Sequence, residues 1–174
     1  IVGFGRIGQA VARRARGFDL NILYNKRRRL PPSLEEQLGV TYEPDLDRLV
    51  ARSDIVSLHA PLTEATRGLI GAARIASMKP EAYLINTSRG ELVDEGALIE
   101  ALEAGRIGGA GLDVYTHEPA VDERLLALDN VVLLPHLGSA TFEGREASGE
   151  RVIANIRIWS DGHRPPDQVL TGMG

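Results

Sequence analysis

The chain has 174 residues, 43% of them hydrophobic and 25% charged, with a net charge of -4 and no cysteine. This length supports one compact domain with a sizeable core, and the balance excludes a disordered chain and a broadly basic nucleic-acid binder. The lack of cysteine excludes a disulfide scaffold, a thiolate metal site and a cysteine nucleophile, and it suits a reducing, cytoplasmic setting; no apolar run is long enough to span a bilayer, and no secretory signal is recognisable.

Ile1-Val2 reads as the end of a buried strand, which predicts further residues upstream. Ile7 to Ala15 carries small and apolar residues at helical spacing, and Asn21 to Tyr24 is a second strand. Ser33-Leu34-Glu35-Glu36 has the pattern of a capping box opening a short helix, with Gly39 placed to end it. Val40 to Tyr42 is a weak strand, Asp45 to Arg52 a short helix and Asp54 to Leu58 a clear strand. Tyr83 to Ile85 is another strand. Asp94 then caps a helix with Leu98, Ile99 and Leu102 on one face, closed by Gly105. Ala110 to Leu112 and Val131 to Leu134 are further strands, and Thr141 to Trp159 is a long final helix closed by Gly162. Strands alternating with helices predict an α/β, Rossmann-type doubly wound parallel sheet with helices on both faces. Residues 1–141 are expected to form the dinucleotide-binding domain, and 142–174 a helix and tail.

Gly3-Phe4-Gly5-Arg6-Ile7-Gly8 matches the G-x-G-x-x-G pattern between a strand and a helix. Gly3 permits the tight turn, Gly5 lets the backbone approach a pyrophosphate, and Gly8 lets the helix pack closely. The helix N-terminus would face the phosphates, with Arg6 and Ile7 at the turn. At the end of the second strand stands Asn25, followed by Lys26, Arg27, Arg28 and Arg29. An NAD site usually places a carboxylate there for the ribose hydroxyl. A neutral amide and guanidinium forks would instead hold a 2′-phosphate, so NADPH is the expected cofactor and NADH the alternative. The competing reading of the run is a solvated basic loop.

Three segments at strand C-terminal ends carry chemistry: Asn86-Thr87-Ser88-Arg89-Gly90, Asp113-Val114-Tyr115-Thr116-His117-Glu118-Pro119, and Pro135-His136-Leu137-Gly138-Ser139-Ala140-Thr141. No cluster has metal-ligand spacing and no serine-nucleophile motif occurs, so no metal is expected. With the glycine turn and His59-Ala60-Pro61-Leu62-Thr63, the ordered blocks resemble the D-isomer-specific 2-hydroxyacid dehydrogenases over nearly the whole chain. Asn25 and its basic run are most similar to those of the NADPH-dependent glyoxylate/hydroxypyruvate reductases in that family.

The resemblance implies roles at matching positions. Arg89 would bind the substrate carboxylate and polarise the carbonyl, His136 would be the general acid, and Glu118 would pair with His136. Asp113 would hold the nicotinamide end. Ala60, Pro61, Thr87 and Ser88 would line the cofactor cleft mainly through backbone groups, with Arg89, His136 and Gly138 also touching the cofactor. His59 is expected to have a packing or loop role, and His117 and His163 to lie on the surface. Glu118 stands where the similar formate dehydrogenases use glutamine. The resemblance further implies a homodimer acting on a small 2-oxo acid, with no nucleic acid or membrane partner, and a substrate domain built mostly from sequence before the glycine turn. A second class also carries these motifs: dinucleotide-sensing corepressors, whose cofactor end is NAD-type.

Overall fold

In the computed structural model, which describes residues 1–168, parallel strands and helices alternate as the sequence predicts. The residues form two compact units, Ile1–Pro135 and His136–Gly174. Residues 169–174, the end of the predicted C-terminal segment, lie outside the described residues.

In the first unit, β1 (Ile22–Tyr24) pairs with β2 (Val40–Tyr42), with Ile22 opposite Val40. A second ladder runs β3 (Ile55–Leu58), β4 (Tyr83–Asn86), β5 (Gly109–Leu112), β6 (Val131–Leu133), parallel throughout. Val2 joins the two ladders. Its N–H donates to Ser57 at 2.9 Å, its carbonyl accepts from His59 at 2.7 Å, and the Asn25 N–H donates to Ile1 at 2.9 Å. The lateral order is therefore β2, β1, Val2, β3, β4, β5, β6. Chain order reverses at Val2, which makes that position the switch point of a doubly wound sheet.

The helices are α1 (Arg6–Ala15), α2 (Pro32–Leu38), α3 (Leu46–Arg52), α4 (Ala72–Ser77), α5 (Glu95–Glu103) and α6 (Glu123–Leu126). α5 forms as its residues dictate. Asp94 accepts the Ala97 N–H at 3.1 Å, Gly105 follows at φ +61°, and Leu98, Ile99 and Leu102 are buried. Each of those side chains contributes about 1.5–3 kcal/mol by leaving water. They join Leu49, Val56, Leu58, Leu84 and Leu112 in the main core, while Phe4, Ala12, Tyr24, Leu38 and Val40 form a second cluster under α1.

The capping box expected at Ser33 does not form. α2 starts at Pro32 with Pro31 as its N-cap, and no side chain caps it. Proline fits the first helical position because it lacks the N–H that would go unpaired there. Glu35 turns inward instead, to partners described below. α4 and α6 were not anticipated: each is short, and each buries a single residue, Ile75 or Leu125.

In the second unit, α7 (Phe142–Ser160) is capped by Thr141, whose Oγ1 accepts the Gly144 N–H at 3.0 Å. Gly162 follows at φ +77°. The chain after it folds back on α7, where Asp167 accepts from Arg151 at 2.9 Å and from Asn155 at 3.0 Å.

Candidate active site

Because all strands of the first unit run the same way, their C-terminal ends share one edge. Gly3, Asn25, Glu43, His59, Thr87, Asp113 and Leu134 are the first residues past those ends. Ligands bind along this edge in open α/β sheets, at the switch point.

Gly3 has φ +83°, and a Cβ there would overlap the backbone of His59 and Ala60, 2.5 Å from the His59 carbonyl carbon. The turn is thus pressed against the His59-Ala60-Pro61 loop, and Ala60 is buried. A Cβ on Gly8 would meet the Gly3 carbonyl oxygen at 2.5 Å, so α1 packs tightly on the turn. Gly5 differs: nothing lies within 4 Å of a Cβ built there. It is the N-cap of α1, no side chain caps the helix, and no acidic residue occupies its first turn. The first N–H groups and the positive dipole end consequently face open space, as a pyrophosphate requires. Arg6 and Ile7 are exposed beside them. This arrangement fits a dinucleotide.

The Asn25 side chain donates to the carbonyls of Glu43 at 2.9 Å and Pro44 at 3.1 Å. Its amide nitrogen holds the loop after β2, and the site gains a neutral group where a carboxylate would repel phosphate. Lys26 is half-buried, with its carbonyl accepting from the Tyr42 hydroxyl at 3.1 Å. Arg27 and Arg28 are exposed. Arg29 grips Glu35 through Nε at 2.9 Å and Nη2 at 2.8 Å. Tyr24 donates its hydroxyl to the same carboxylate at 2.6 Å. Arg29 and Tyr24 together hold the Glu35 carboxyl down at about 2, while burial and the neighbouring carboxylate push the Tyr24 phenol up to about 12.

Asn86 is buried at the end of β4, where its Oδ1 accepts the Ser88 N–H at 3.1 Å and its Nδ2 donates to the Arg89 carbonyl at 2.9 Å. The Ser88 hydroxyl donates to Leu58 at 2.7 Å, joining this loop to the end of β3. Thr87 and Arg89 are exposed on the loop. Gly90 lies against the backbone of Tyr115 and Thr116 so closely that a Cβ would overlap it. Glu118 lies on that following loop, where its Oε1 accepts the Tyr115 N–H at 3.0 Å. Thr116 N–H donates to Glu95 at 3.0 Å, and the Tyr115 hydroxyl donates to Leu134 at 2.9 Å. Asp113 is buried, with its N–H on the Asn86 carbonyl at 3.0 Å. Contacts therefore run unbroken from Asn25 through Gly3 and Ala60, and from Ser88 through Gly90 to Glu118. His136 and Gly138 belong to the second unit, where His136 takes the left-handed backbone conformation at φ +57°.

Residues 1–138 match the family described as D-isomer specific 2-hydroxyacid dehydrogenase, NAD binding domain. The chain belongs to this family. Glyoxylate reductase of Thermococcus litoralis is 52% identical over 169 residues, covering 97% of this chain and 50% of that protein. Glyoxylate/hydroxypyruvate reductase B of Klebsiella pneumoniae is 55% identical over 158 residues, 90% of this chain and 48% of the relative. The crystal structure of NADPH-dependent glyoxylate/hydroxypyruvate reductase from Sinorhizobium meliloti, in complex with NADP and malonate, aligns with a TM-score of 0.86 at 40% identity. That alignment covers 91% of this chain and 48% of the other. The chain spans about half the length of the curated relatives it matches.

Within this member of the 2-hydroxyacid dehydrogenase family, three residues around the site escaped sequence reading. Asn86 forms an Asx turn under Arg89, a signal present in the sequence as Asn86-x-Ser88. In sequence, Arg29 belongs to a basic run and Glu35 to a capping pattern. Their pairing spans six positions, a spacing that no helical rule marks. His59 has the packing role expected of it: its Nε2 lies 2.9 Å from the Ser57 hydroxyl, and burial pushes its pKa down.

Proposed function

We propose that this chain is the cofactor-binding and catalytic part of a reductase. It would convert a small 2-oxo acid of the glyoxylate/hydroxypyruvate class to the D-2-hydroxy acid, with NADPH preferred over NADH. The observation that carries the reading is an exposed guanidinium, Arg89, on the same strand-end edge as an uncapped, glycine-opened helix N-terminus. The names of the reductases from Thermococcus and Klebsiella support the substrate class, and the NADP complex of the Sinorhizobium enzyme supports the cofactor.

Gly3, Gly5, Arg6, Ile7 and Gly8 would hold the pyrophosphate, with Arg27, Arg28 and Lys26 gathered round the 2′-phosphate beside the neutral Asn25. Ala60, Pro61, Thr87, Ser88 and Gly138 would line the cleft, and Asp113 would face the nicotinamide. When bound, the nicotinamide supplies a hydride to the carbonyl carbon of the 2-oxo acid. Arg89 grips the substrate carboxylate bidentately and draws electron density toward the carbonyl oxygen. His136, as imidazolium, gives its proton to that oxygen as the new C–H bond forms, which leaves a neutral ring and a hydroxyl. Glu118 would pair with His136 and fix the orientation of its ring.

Residues 1–141 are proposed as the cofactor domain, and 142–174 as the segment leading back toward a substrate domain. A homodimer in the cytoplasm, without nucleic-acid or membrane partners, completes the reading. The acidic composition supports the lack of a nucleic-acid partner, and among the described residues no helix is long and apolar enough to cross a membrane; the homodimer rests on the family resemblance alone. The relatives named above are reductases, and none supports a corepressor role.

The test is consumption of NADPH by the protein with glyoxylate and with hydroxypyruvate, repeated for His136→Ala and Arg89→Ala. Turnover of both acids, a loss mainly in kcat for H136A and losses in both KM and kcat for R89A are expected. An H136A variant with full kcat would refute the acid assignment.

A further inference from the structure

A run of four consecutive cations repels itself, yet gripping a 2′-phosphate requires its guanidinium groups at a fixed distance from the pyrophosphate turn. The loop after β1 solves this beneath its surface. Tyr24 is fully buried and stacks on Phe4, the residue between the first two glycines of the turn, with ring centroids 4.3 Å apart. Its hydroxyl accepts the Leu30 N–H at 2.9 Å and donates to Glu35 at 2.6 Å. Glu35, only 7% exposed, takes both ends of the Arg29 fork. Arg29 also lies over the Tyr42 ring, 5.7 Å from its centroid, and the Tyr42 hydroxyl holds the Lys26 carbonyl. Both ends of the loop are thereby tied to rings, Tyr24 on Phe4 of the glycine turn and Tyr42 on Tyr24 with centroids 5.2 Å apart; one cation is neutralised, and Arg27 and Arg28 are left exposed at the tip.

We propose that Tyr24, Glu35 and Arg29 are positioning residues for cofactor selectivity, fixing the basic loop at a set distance from the pyrophosphate turn so that Arg27 and Arg28 meet a 2′-phosphate. This rests on the NADPH reading above, and it adds selectivity determinants placed under the loop. A tether of this kind acts on NADPH alone, because NADH has no 2′-phosphate for the loop to meet. A merely structural network would affect both cofactors together.

The test is calorimetric titration of the protein with NADPH and NADH, for wild type, Tyr24→Phe, Arg29→Lys and Arg28→Ala. Y24F keeps the ring stack and every charge. R29K keeps the charge, removes the fork, and lies on the exposed side of the network should Y24F fold poorly. In both, the NADPH Kd should rise about fivefold, corresponding to roughly 1 kcal/mol, while the NADH Kd stays within about twofold. R28A, a direct phosphate contact, should erase most of the preference. Loss of preference in R28A but not in Y24F or R29K overturns the positioning role alone. Equal weakening toward both cofactors overturns it as well. A wild-type protein that does not distinguish the cofactors overturns the NADPH reading and this inference with it.

Discussion

Gly5→Ala separates binding from folding in the glycine turn. Gly5 has φ -83°, which alanine adopts, and a Cβ there meets nothing within 4 Å. Reduced freedom of the unfolded chain favours alanine by about 0.4–1 kcal/mol, and its poorer capping ability opposes that by a similar amount. Stability should stay within about 1 kcal/mol of wild type, a Tm shift of no more than about 4 °C for a chain of this size. The same methyl occupies the space over the first N–H groups of α1. Losing one charge-assisted hydrogen bond to phosphate costs about 1.5–3 kcal/mol, so the NADPH Kd should rise about 10- to 100-fold. Gly3→Ala is the contrast. Its left-handed backbone alone penalises alanine by about 1–2 kcal/mol, and overlap with His59 and Ala60 brings the total above about 3 kcal/mol. Its Tm should fall by at least about 6 °C. Thermal melts and calorimetric titration read both variants. A G5A protein that binds NADPH like wild type would refute the placement of the pyrophosphate at α1.

Other residues give separate tests. Asn86→Ala removes both hydrogen bonds that shape the Ser88-Arg89 loop; in steady-state kinetics it should raise KM for the 2-oxo acid more than it raises KM for NADPH. Asp94→Ala deletes the α5 cap and should lower stability by about 1 kcal/mol in denaturant melts, leaving cofactor affinity unchanged. Glu35 titrates at about 2 in the folded protein against an ordinary 4.5, so its contribution to stability is present above pH 4.5 and lost as pH falls toward 2. Glu35→Gln should therefore flatten the acid limb of Tm against pH between those values; an unchanged slope would contradict the Arg29 and Tyr24 partnership.

Where several local signals agreed, the fold was legible. α5 shows it: Asp94, the Leu98-Ile99-Leu102 face and Gly105 all name one helix, and the structure forms it. The reversal at Val2 was readable only as alternation of strands and helices, because pairing between β1 and β3 through two residues leaves no mark in sequence. At Ser33 a local rule lost to tertiary demand. Glu35 meets Tyr24 and Arg29, and a helix that begins at Pro32 leaves Ser33 no capping position. α4 and α6 are too short for periodicity to show. The positions of Gly3, Gly5, Asn25, Arg89 and Glu118 at strand ends and turns were readable, because their blocks follow strand patterns; their roles are proposals. The Asn86 turn has a local signal in Asn86-x-Ser88, whereas the Tyr24 network acts from beneath, through contacts that only the folded chain reveals.

The most direct test of the central claim is calorimetric titration of this protein with NADPH and, separately, with NADH. Saturable binding of both, tighter for NADPH, is the predicted result. A folded protein that binds NADH as tightly as NADPH would contradict the cofactor assignment, and one that binds neither would contradict the dinucleotide site itself.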